Sequence, residues 1–156
     1  MSDTDLIDDL RRAPDLYPAL EAAMARTIGH RLFTLMVIDP AAAEAARVHS
    51  SDPAAYPVAG RKPLGDLTEW GDVVLRRGEP FIGYDAGDIA RVFPDHETIA
   101  RLGCASVLNV PVVDAGTVIG TMNLLHEAGH FDEADAIRAA PFAALLVGPY
   151  REWARG

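Results

Sequence analysis

The stretch that decides the fold runs from Ser106 to His126 and reads SVLNVPVV-DAG-TVIGTMNLLH. Two runs rich in β-branched and other apolar residues, 106–113 and 117–126, flank the short segment Asp114-Ala115-Gly116. Runs of this composition, separated by a few residues that contain glycine, are typical of a β-hairpin. The rest of the chain is therefore interpreted outward from this hairpin.

The turn sets the register of the hairpin. A two-residue turn would place Ala115 at positive φ, which alanine resists, so we expect a three-residue loop with Gly116 in the left-handed region. That register pairs Asn109 with Thr121 and puts Asn109, Thr121 and Asn123 on one face of the sheet. Buried amides need partners, so these side chains either bond to one another, face solvent or form the polar floor of a pocket.

Apolar spacing and Pro/Gly punctuation predict the other elements. Helical patterns precede the first strand, and a final helix with prolines at 141 and 149, which should kink it, follows the hairpin. The expected elements are helices at 3–12, 15–28, 68–78 and from 132 onward, helical turns at 88–93 and 96–102, and strands at 32–38, 47–50 and 80–84.

A long loop from Ser51 to Leu67 carries three prolines and two glycines. It is too long to be an idle connection in a compact domain, and such loops are often functional. It contains Tyr56 and Arg61, and we expect it to cover a pocket. A loop arginine beside aromatic side chains suits a carboxylate or another planar anion.

Composition excludes several classes of function. The 156 residues carry a net charge of −9, which argues against nucleic acid and anionic membrane surfaces as partners. A single cysteine cannot form an internal disulfide, and the acidic N-terminus does not resemble a signal peptide. No apolar run is long enough to span a membrane. We therefore expect one cytoplasmic domain over residues 1–156.

The order of elements resembles the GAF domain family. The text LGCASVLNVPV at 102–112 is similar to the glycine, serine and "vP" of the family's penultimate strand, and GTVIGTMNL at 116–124 is similar to its continuation. Phe131 and Asp135 match the F-x-x-x-D that opens the last helix. The likeness extends from about Asp15 to Trp153.

The resemblance implies an α+β fold, GAF/PAS-like and profilin-like, with a six-stranded antiparallel sheet. It places the terminal helices on one face and a ligand pocket, covered by loops and short helices, on the other. It also implies a homodimer joined through the helices at 3–28 and 132–153. No cofactor is expected.

His126-Glu127-Ala128-Gly129-His130 is a literal H-E-x-x-H, the zinc motif of many peptidases. That chemistry requires a helix through all five residues, whereas here the motif follows a β-run and contains Gly129. We therefore predict that the two imidazoles do not converge and that no metal is bound.

Cys104 has apolar neighbours, which favours a buried, inert thiol over a redox group or an attachment point. Free methionine-R-sulfoxide reductases are GAF enzymes with several cysteines, and one cysteine cannot supply both nucleophile and resolving partner. The chain also lacks the Cys-His pair typical of bilin-binding members and the Asn-Lys of cyclic-nucleotide members.

The favoured function is a non-catalytic, bacterial type of regulatory domain in signal transduction, which binds a small anionic or aromatic metabolite and acts through a separate output protein. A small enzyme that uses the same pocket and a dimerising scaffold with a vestigial pocket are the alternatives. Asn109→Leu is expected to weaken binding and allows a gain in stability. The candidate ligand-binding residues are Tyr56, Arg61, Trp70, Tyr84, Asp85, Cys104, Asn109, Thr121 and Asn123.

Overall fold

A computed structural model describes residues 1–65 and 68–156. The helices are α1 (Asp3–Arg11), α2 (Leu16–Thr27), α3 (Thr68–Trp70), α4 (Ala86–Val92), α5 (His96–Arg101), α6 (Glu133–Ala143) and α7 (Val147–Arg155). The strands are β1 (Leu32–Asp39), β2 (Glu44–Ser50), β3 (Arg61–Pro63), β4 (Phe81–Gly83), β5 (Ser106–Asp114) and β6 (Thr117–His126). None of the described helices is long and apolar enough to cross a membrane.

The six strands form one antiparallel sheet, as the resemblance implied, and their order is β3-β2-β1-β6-β5-β4. Side chains alternate between its two faces because the period of a strand is two residues. In β1, Phe33, Leu35 and Val37 face the terminal helices, while Leu32, Thr34 and Met36 face the other side. The sheet therefore separates two apolar clusters.

The hairpin is present, but its predicted loop length is wrong. Asp114 pairs with Thr117, so the loop has two residues, and Ala115 and Gly116 both have positive φ (50° and 84°). A left-handed alanine costs roughly 1–2 kcal/mol. Two-residue turns of this kind match the twist of the flanking strands, which offsets that cost.

A bulge at Ile119 shifts the hairpin register further. Val112 pairs with Gly120 and Val113 with Val118, so Ile119 has no opposite residue. As a result Asn109 lies opposite Asn123 instead of Thr121. Beyond the bulge the predicted register is wrong by two residues, an even number, and Asn109, Thr121 and Asn123 therefore stay on one face as predicted.

The terminal helices bury the larger cluster against the sheet. Leu20 and Met24 of α2, Phe142 of α6 and Tyr150 of α7 have no exposed surface. The sequence predicted one last helix kinked at Pro141 and Pro149; in the structure these prolines lie inside α6 and α7, and a turn of 3-10 helix at Ala144–Leu146 joins the two helices. Tyr150 packs so closely on Gly120 that a Cβ there would lie 2.4 Å from its ring.

The opposite face is covered by the loop after β2, by β3 and by α3–α5, and these segments together are called the cover. A strand was not predicted inside the long loop, yet residues 61–63 pair with β2. The helix at 68–78 is present as α3 and a following π-helix at Gly71–Arg76. The last part of the predicted loop, residues 66–67, lies outside the described residues.

Candidate functional site

A cavity of about 50 Å³ lies between the sheet and its cover. Water-sized sites need roughly 10–15 Å³ each, so it has room for on the order of four waters. Its walls are mainly apolar and its polar groups come from both the sheet and the cover. The lining residues are Leu32, Thr34, Met36, Ala45, Arg47, Tyr56, Lys62, Leu64, Trp70, Phe93, Asp95, Ile99, Val107, Asn109, Thr121, Asn123 and Leu125.

A chain of hydrogen bonds runs across the floor of the cavity. The indole N–H of Trp70 donates to Asn109 Oδ1 at 3.0 Å, and Asn109 Nδ2 donates to Asn123 Oδ1 at 2.7 Å. Asn123 Nδ2 then donates to Thr34 Oγ1 at 3.2 Å. The cross-strand positions of Asn109, Asn123 and Thr34 make this possible. The floor amides therefore bond to one another, and Trp70 ties the cover to three strands.

Arg47 of β2 brings a buried cation to one end of the cavity. It is only 5% exposed, its Nη1 donates to the carbonyl of Pro57 at 3.0 Å, and its guanidinium lies 4.7 Å from the centre of the Tyr56 ring. Gly60 permits this approach, because a Cβ there would lie 2.6 Å from Arg47 Nη1.

Asp95, between α4 and α5, holds two residues of the cover. Its Oδ2 accepts from the Tyr56 hydroxyl at 2.5 Å and from Lys62 Nζ at 2.9 Å. The same lysine lies 5.7 Å from the Tyr56 ring centre and 5.8 Å from that of Phe93. These contacts fasten the loop after β2, and β3 with it, over the cavity.

The electrostatics of this end follow from burial and from these pairs. Burial raises the pKa of Asp95, but Lys62 and the Tyr56 hydroxyl outweigh it, so the pKa is lowered and the group is a carboxylate at neutral pH. Burial and the bond to Asp95 raise the pKa of Tyr56. Burial lowers the pKa of Arg47, which stays protonated as arginines in proteins do.

Two polar atoms at this end are buried without a partner among residues 1–65 and 68–156: Arg47 Nε and Asp95 Oδ1. An unmet buried donor or acceptor costs about 1–3 kcal/mol, and more when it belongs to a charged group. One atom is a donor and the other an acceptor, and both belong to side chains that line the cavity, although the atoms themselves are enclosed by protein.

Five of the predicted site residues line the cavity: Tyr56, Trp70, Asn109, Thr121 and Asn123. Arg61 does not. It lies on β3 next to Lys62 and points away, where it pairs with Asp39 at 3.0 Å and Glu44 at 3.3 Å. Neighbouring strand residues face opposite sides, so β3 sends Lys62 inward and Arg61 outward.

Tyr84, Asp85 and Cys104 are also placed outside the cavity. Tyr84 is exposed, and Asp85 caps α4 by accepting from the Asp88 N–H at 2.9 Å. Cys104 is buried in the apolar cluster beneath the cover, where burial raises the pKa of its thiol against a smaller opposing effect of Arg31. The predicted burial of Cys104 is confirmed, and its inertness stays a prediction.

Sequence reasoning missed Thr34, Arg47 and Asp95 in the cavity wall. The strand was predicted to begin at Arg47, whereas β2 begins at Glu44, three residues earlier. With the correct start, strand alternation would have assigned Arg47 to a face of the sheet. Asp95 offered no comparable signal. It follows Pro94 between two short helices, and only the tertiary fold brings it to Tyr56 and Lys62.

The H-E-x-x-H residues come closer together than predicted. Ligand atoms of His126, Glu127 and His130 lie within 4.8 Å of one another, so the prediction that the imidazoles do not converge is wrong. The reason is a turn that brings His130 back over His126. Their rings stack at 3.9 Å and 12°, and parallel rings cannot both direct a lone pair at one ion. Arg31 also lies 3.6 Å from the Glu127 carboxylate.

Hydrogen bonds also fix both imidazole tautomers. His126 Nδ1 accepts from the Glu127 N–H at 2.8 Å, so its Nε2 carries the hydrogen. His130 Nε2 donates to the carbonyl of Ile28 at 2.8 Å. His130 Nδ1 is thus free to ligate, but His126 must first lose a hydrogen bond or a proton.

Comparison with known proteins places the chain in a family. The sequence model of the GAF domain matches residues 16–146, and the chain belongs to the GAF domain family. No curated protein sequence matches it.

Solved structures share the fold at low identity. The GAF domain of a phosphoenolpyruvate-protein phosphotransferase from Coxiella burnetii is 20% identical, with a TM-score of 0.73 over 98% of this chain and 92% of that one. Free methionine-R-sulfoxide reductase from Neisseria meningitidis, in complex with its substrate, is 20% identical, with a TM-score of 0.70 over 98% and 87%. A far-red absorbing protein with bound biliverdin IXa is 14% identical, with a TM-score of 0.74 over 100% of both chains.

Proposed function

We propose that this chain is a sensor or regulatory GAF domain that binds a small, anionic molecule in the cavity beneath the loop after β2. The observation that carries the proposal is the nearly buried Arg47, whose Nε lacks a partner among the described residues and whose side chain lines the cavity. A buried cation is retained at low cost only where an anion or a hydrogen-bond acceptor meets it.

The comparisons support the ligand part of this proposal. Two proteins of similar fold hold a small molecule, in one case a substrate and in the other biliverdin. The cavity here, at about 50 Å³, favours a ligand of a few heavy atoms over a tetrapyrrole.

Enzymatic turnover remains the alternative function. The thiol chemistry of a sulfoxide reductase is disfavoured, because Cys104 is buried outside the cavity and its pKa is raised. Substrate screening with purified protein separates the two functions, since a sensor binds without turnover.

The proposal extends to assembly and location. We infer a single working domain in the cytoplasm, a homodimer through the terminal helices, and a separate output protein that reads the bound state. The exposed Ile137 on α6 supports a partner at that face, since this large apolar side chain is 76% exposed on the outer side of a helix whose inner side packs on the sheet.

Native mass spectrometry of the protein as purified tests the ligand directly. The expected result is a small co-purifying acid that is lost on denaturation and on dialysis. NMR gives a second measurement, because an occupant shifts the indole N–H of Trp70 beside the cavity more than that of Trp153 on α7. Failure of every small metabolite in a broad panel to shift Trp70 selectively would contradict the proposal.

A further inference from the structure

We propose that the ion pair between Lys62 and Asp95 is the gate through which a small molecule enters the cavity. This inference rests on the proposed function and adds the route by which the ligand reaches its site. It assigns the moving part of the gate to Lys62 and the fixed part to Asp95.

The cavity approaches the surface at one end of the described chain. Every described residue of its lining is buried except Lys62, Leu64 and Asp95. Lys62 and Leu64 lie two residues apart at β3, and Asp95 meets Lys62 from between α4 and α5. A route from solvent through the described wall is therefore shortest at this ion pair.

An open recess of about 260 Å³ lies outside the same two charged residues. It is lined by Lys62, Pro63, Pro94 and Asp95. Lys62 and Asp95 thus line both the recess and the cavity, and residues that line both spaces stand between them. Proline fixes its own φ, so Pro63 and Pro94 give the recess stiff edges. The ion pair therefore separates a molecule in the recess from the cavity.

Asp95 is the fixed half of the pair. Its Oδ2 accepts from the hydroxyl of the buried Tyr56 at 2.5 Å as well as from Lys62 Nζ at 2.9 Å. Departure of Lys62 leaves the bond to Tyr56 in place. The Asp95 side chain therefore keeps its position when the pair separates.

Lys62 is the half that moves. Its ammonium has Asp95 as its hydrogen-bond partner among the described residues, and its side chain is 26% exposed. An ammonium on a flexible four-carbon stem is strongly hydrated once it turns toward water. Rotation of Lys62 into the recess therefore removes it from the partition, and its charge is met by solvent.

The backbone of β3 stays attached during this movement. The strand pairs with β2 over three residues, and Arg61 on its outer face pairs with Asp39 and Glu44. These contacts do not involve the Lys62 ammonium. The opening is thus confined to one side chain and exposes little new surface.

Hydrogen exchange of the Trp70 indole N–H with D₂O measures this opening without any ligand. Trp70 is 5% exposed, lines the cavity and donates this hydrogen to Asn109, so water must enter before it exchanges. In the wild-type protein we expect exchange faster than that of the β1 amides and independent of low urea concentrations, because the opening exposes little surface. Exchange at the rate of global unfolding, with its full urea dependence, would overturn the gate.

Variants locate the opening. Lys62→Met keeps an unbranched stem without the charge, and it should accelerate Trp70 exchange by about 5- to 100-fold, between the effects of exposed and buried charge pairs. Lys62→Arg retains the pair and should stay close to the wild-type rate. Arg91→Met is the matched control, because Arg91 ties α4 to Glu69 beside Trp70 but lines neither space, and it should leave the rate unchanged.

Urea denaturation of each variant accompanies the exchange measurement, so that faster exchange through global unfolding is recognised. Acrylamide then shows whether the opening admits more than water. Its quenching of Trp70 fluorescence, in a Trp153→Phe background, should increase with Lys62→Met and not with Arg91→Met.

The outcomes separate the gate from the function on which it rests. Equal exchange and equal quenching in Lys62→Met and the wild type would overturn the gate and leave the sensor function standing. Faster exchange without stronger quenching would show an opening too narrow for a ligand and would also overturn the route. Silence of Trp70 toward every metabolite of the panel would contradict the sensor function without altering these rates.

Discussion

Asn109 forms hydrogen bonds with two buried partners, so an apolar substitution there should lower stability and not raise it. An apolar replacement there was expected to allow a gain in stability. Asn109→Leu would leave the Trp70 indole N–H and Asn123 Oδ1 buried and unpaired. We therefore expect urea denaturation to show a loss of about 2–6 kcal/mol, at roughly 1–3 kcal/mol for each of the two orphaned groups.

A control for this prediction removes the whole chain of amides together. Asn109→Leu combined with Asn123→Leu and Trp70→Phe leaves fewer unmet partners, so it should be less destabilised than the sum of the single variants. Stability of Asn109→Leu equal to or above that of the wild type would contradict the hydrogen-bonded floor.

Gly120 is the position at which a single methyl group should cost most. A Cβ there would lie 2.4 Å from both the Met36 carbonyl oxygen and the Tyr150 ring, and neither can withdraw from the packed core. Gly120→Ala should therefore lower the free energy of unfolding by more than about 3 kcal/mol, as overpacking of a rigid site does.

Gly148 provides the matched control, because a Cβ there meets no atom within 4 Å and the residue is helical. Gly148→Ala should be neutral or stabilising by roughly 0.5–1 kcal/mol. Chemical denaturation of the two variants checks both values. Similar effects at the two glycines would be inconsistent with the close approach of Tyr150.

Two sets of residues show which features of the site could be predicted from the sequence and which could not. The shared face of Asn109, Thr121 and Asn123 was predictable, because hydrophobic alternation fixes faces and survives an even shift in register. The choice between Arg61 and Lys62 was not predictable. Without β3 there was no alternation to apply, and strand pairing with β2 alone decides which cation turns inward.

At the scale of elements, the ion pair of Asp95 and Lys62 should make the attachment of the cover depend on pH. The folded-state pKa of Asp95 is lowered below its unfolded value, near 3.9. Its contribution is therefore fully present above about pH 4 and is lost as the pH falls through the folded pKa. Stability should drop in this acidic window.

Denaturation between pH 7 and pH 2 checks this dependence. Asp95→Asn should be less stable than the wild type at pH 7 and should show a shallower decline below about pH 4. Glu97→Gln, an exposed change on neighbouring α5, should follow the wild-type curve. An equal loss of stability below pH 4 in the wild type and in Asp95→Asn would show that folding does not change the pKa of this carboxylate.

The turn between β6 and α6 should remain metal-free despite its two histidines. Stacked rings, a fixed Nε2–H on His126 and the nearby Arg31 all oppose a shared ion. We expect EDTA to leave the thermal midpoint unchanged and one equivalent of Zn²⁺ to raise it by no more than the same addition to His130→Gln. Stoichiometric zinc in protein purified without added metal would overturn this view.

The order of elements was largely predictable, because long amphipathic helices and a strong hairpin leave clear periodicities. The short elements were less predictable. A three-residue β3 carries too little pattern to be detected, and the left-handed Ala115 is tolerated only because the twist of β5 and β6 favours a two-residue turn.

At the scale of the whole molecule, most apolar surface of the terminal helices is used inside the monomer. Leu20, Met24, Phe142 and Tyr150 are fully buried, whereas Ile137 is the exposed large hydrophobic residue of the described α6 and α7. We expect sedimentation at micromolar concentration to show a homodimer and Ile137→Glu to shift it toward monomer. Val113→Glu, on the hairpin, is the control and should leave the dimer intact. A wild-type monomer would contradict the assembly.

The separation of the two apolar clusters by the sheet has a consequence for how such a domain can diverge. Within residues 1–65 and 68–156, the larger cluster, beneath the terminal helices, shares no buried side chain with the cluster beneath the cover. Substitutions in the cavity wall therefore destabilise mainly the packing beneath the cover. The packing beneath the terminal helices is not changed by them and still stabilises the sheet. Selection can then revise ligand preference in small steps from a folded ancestor, since the described residues that line the cavity are not those that pack the terminal helices on the sheet.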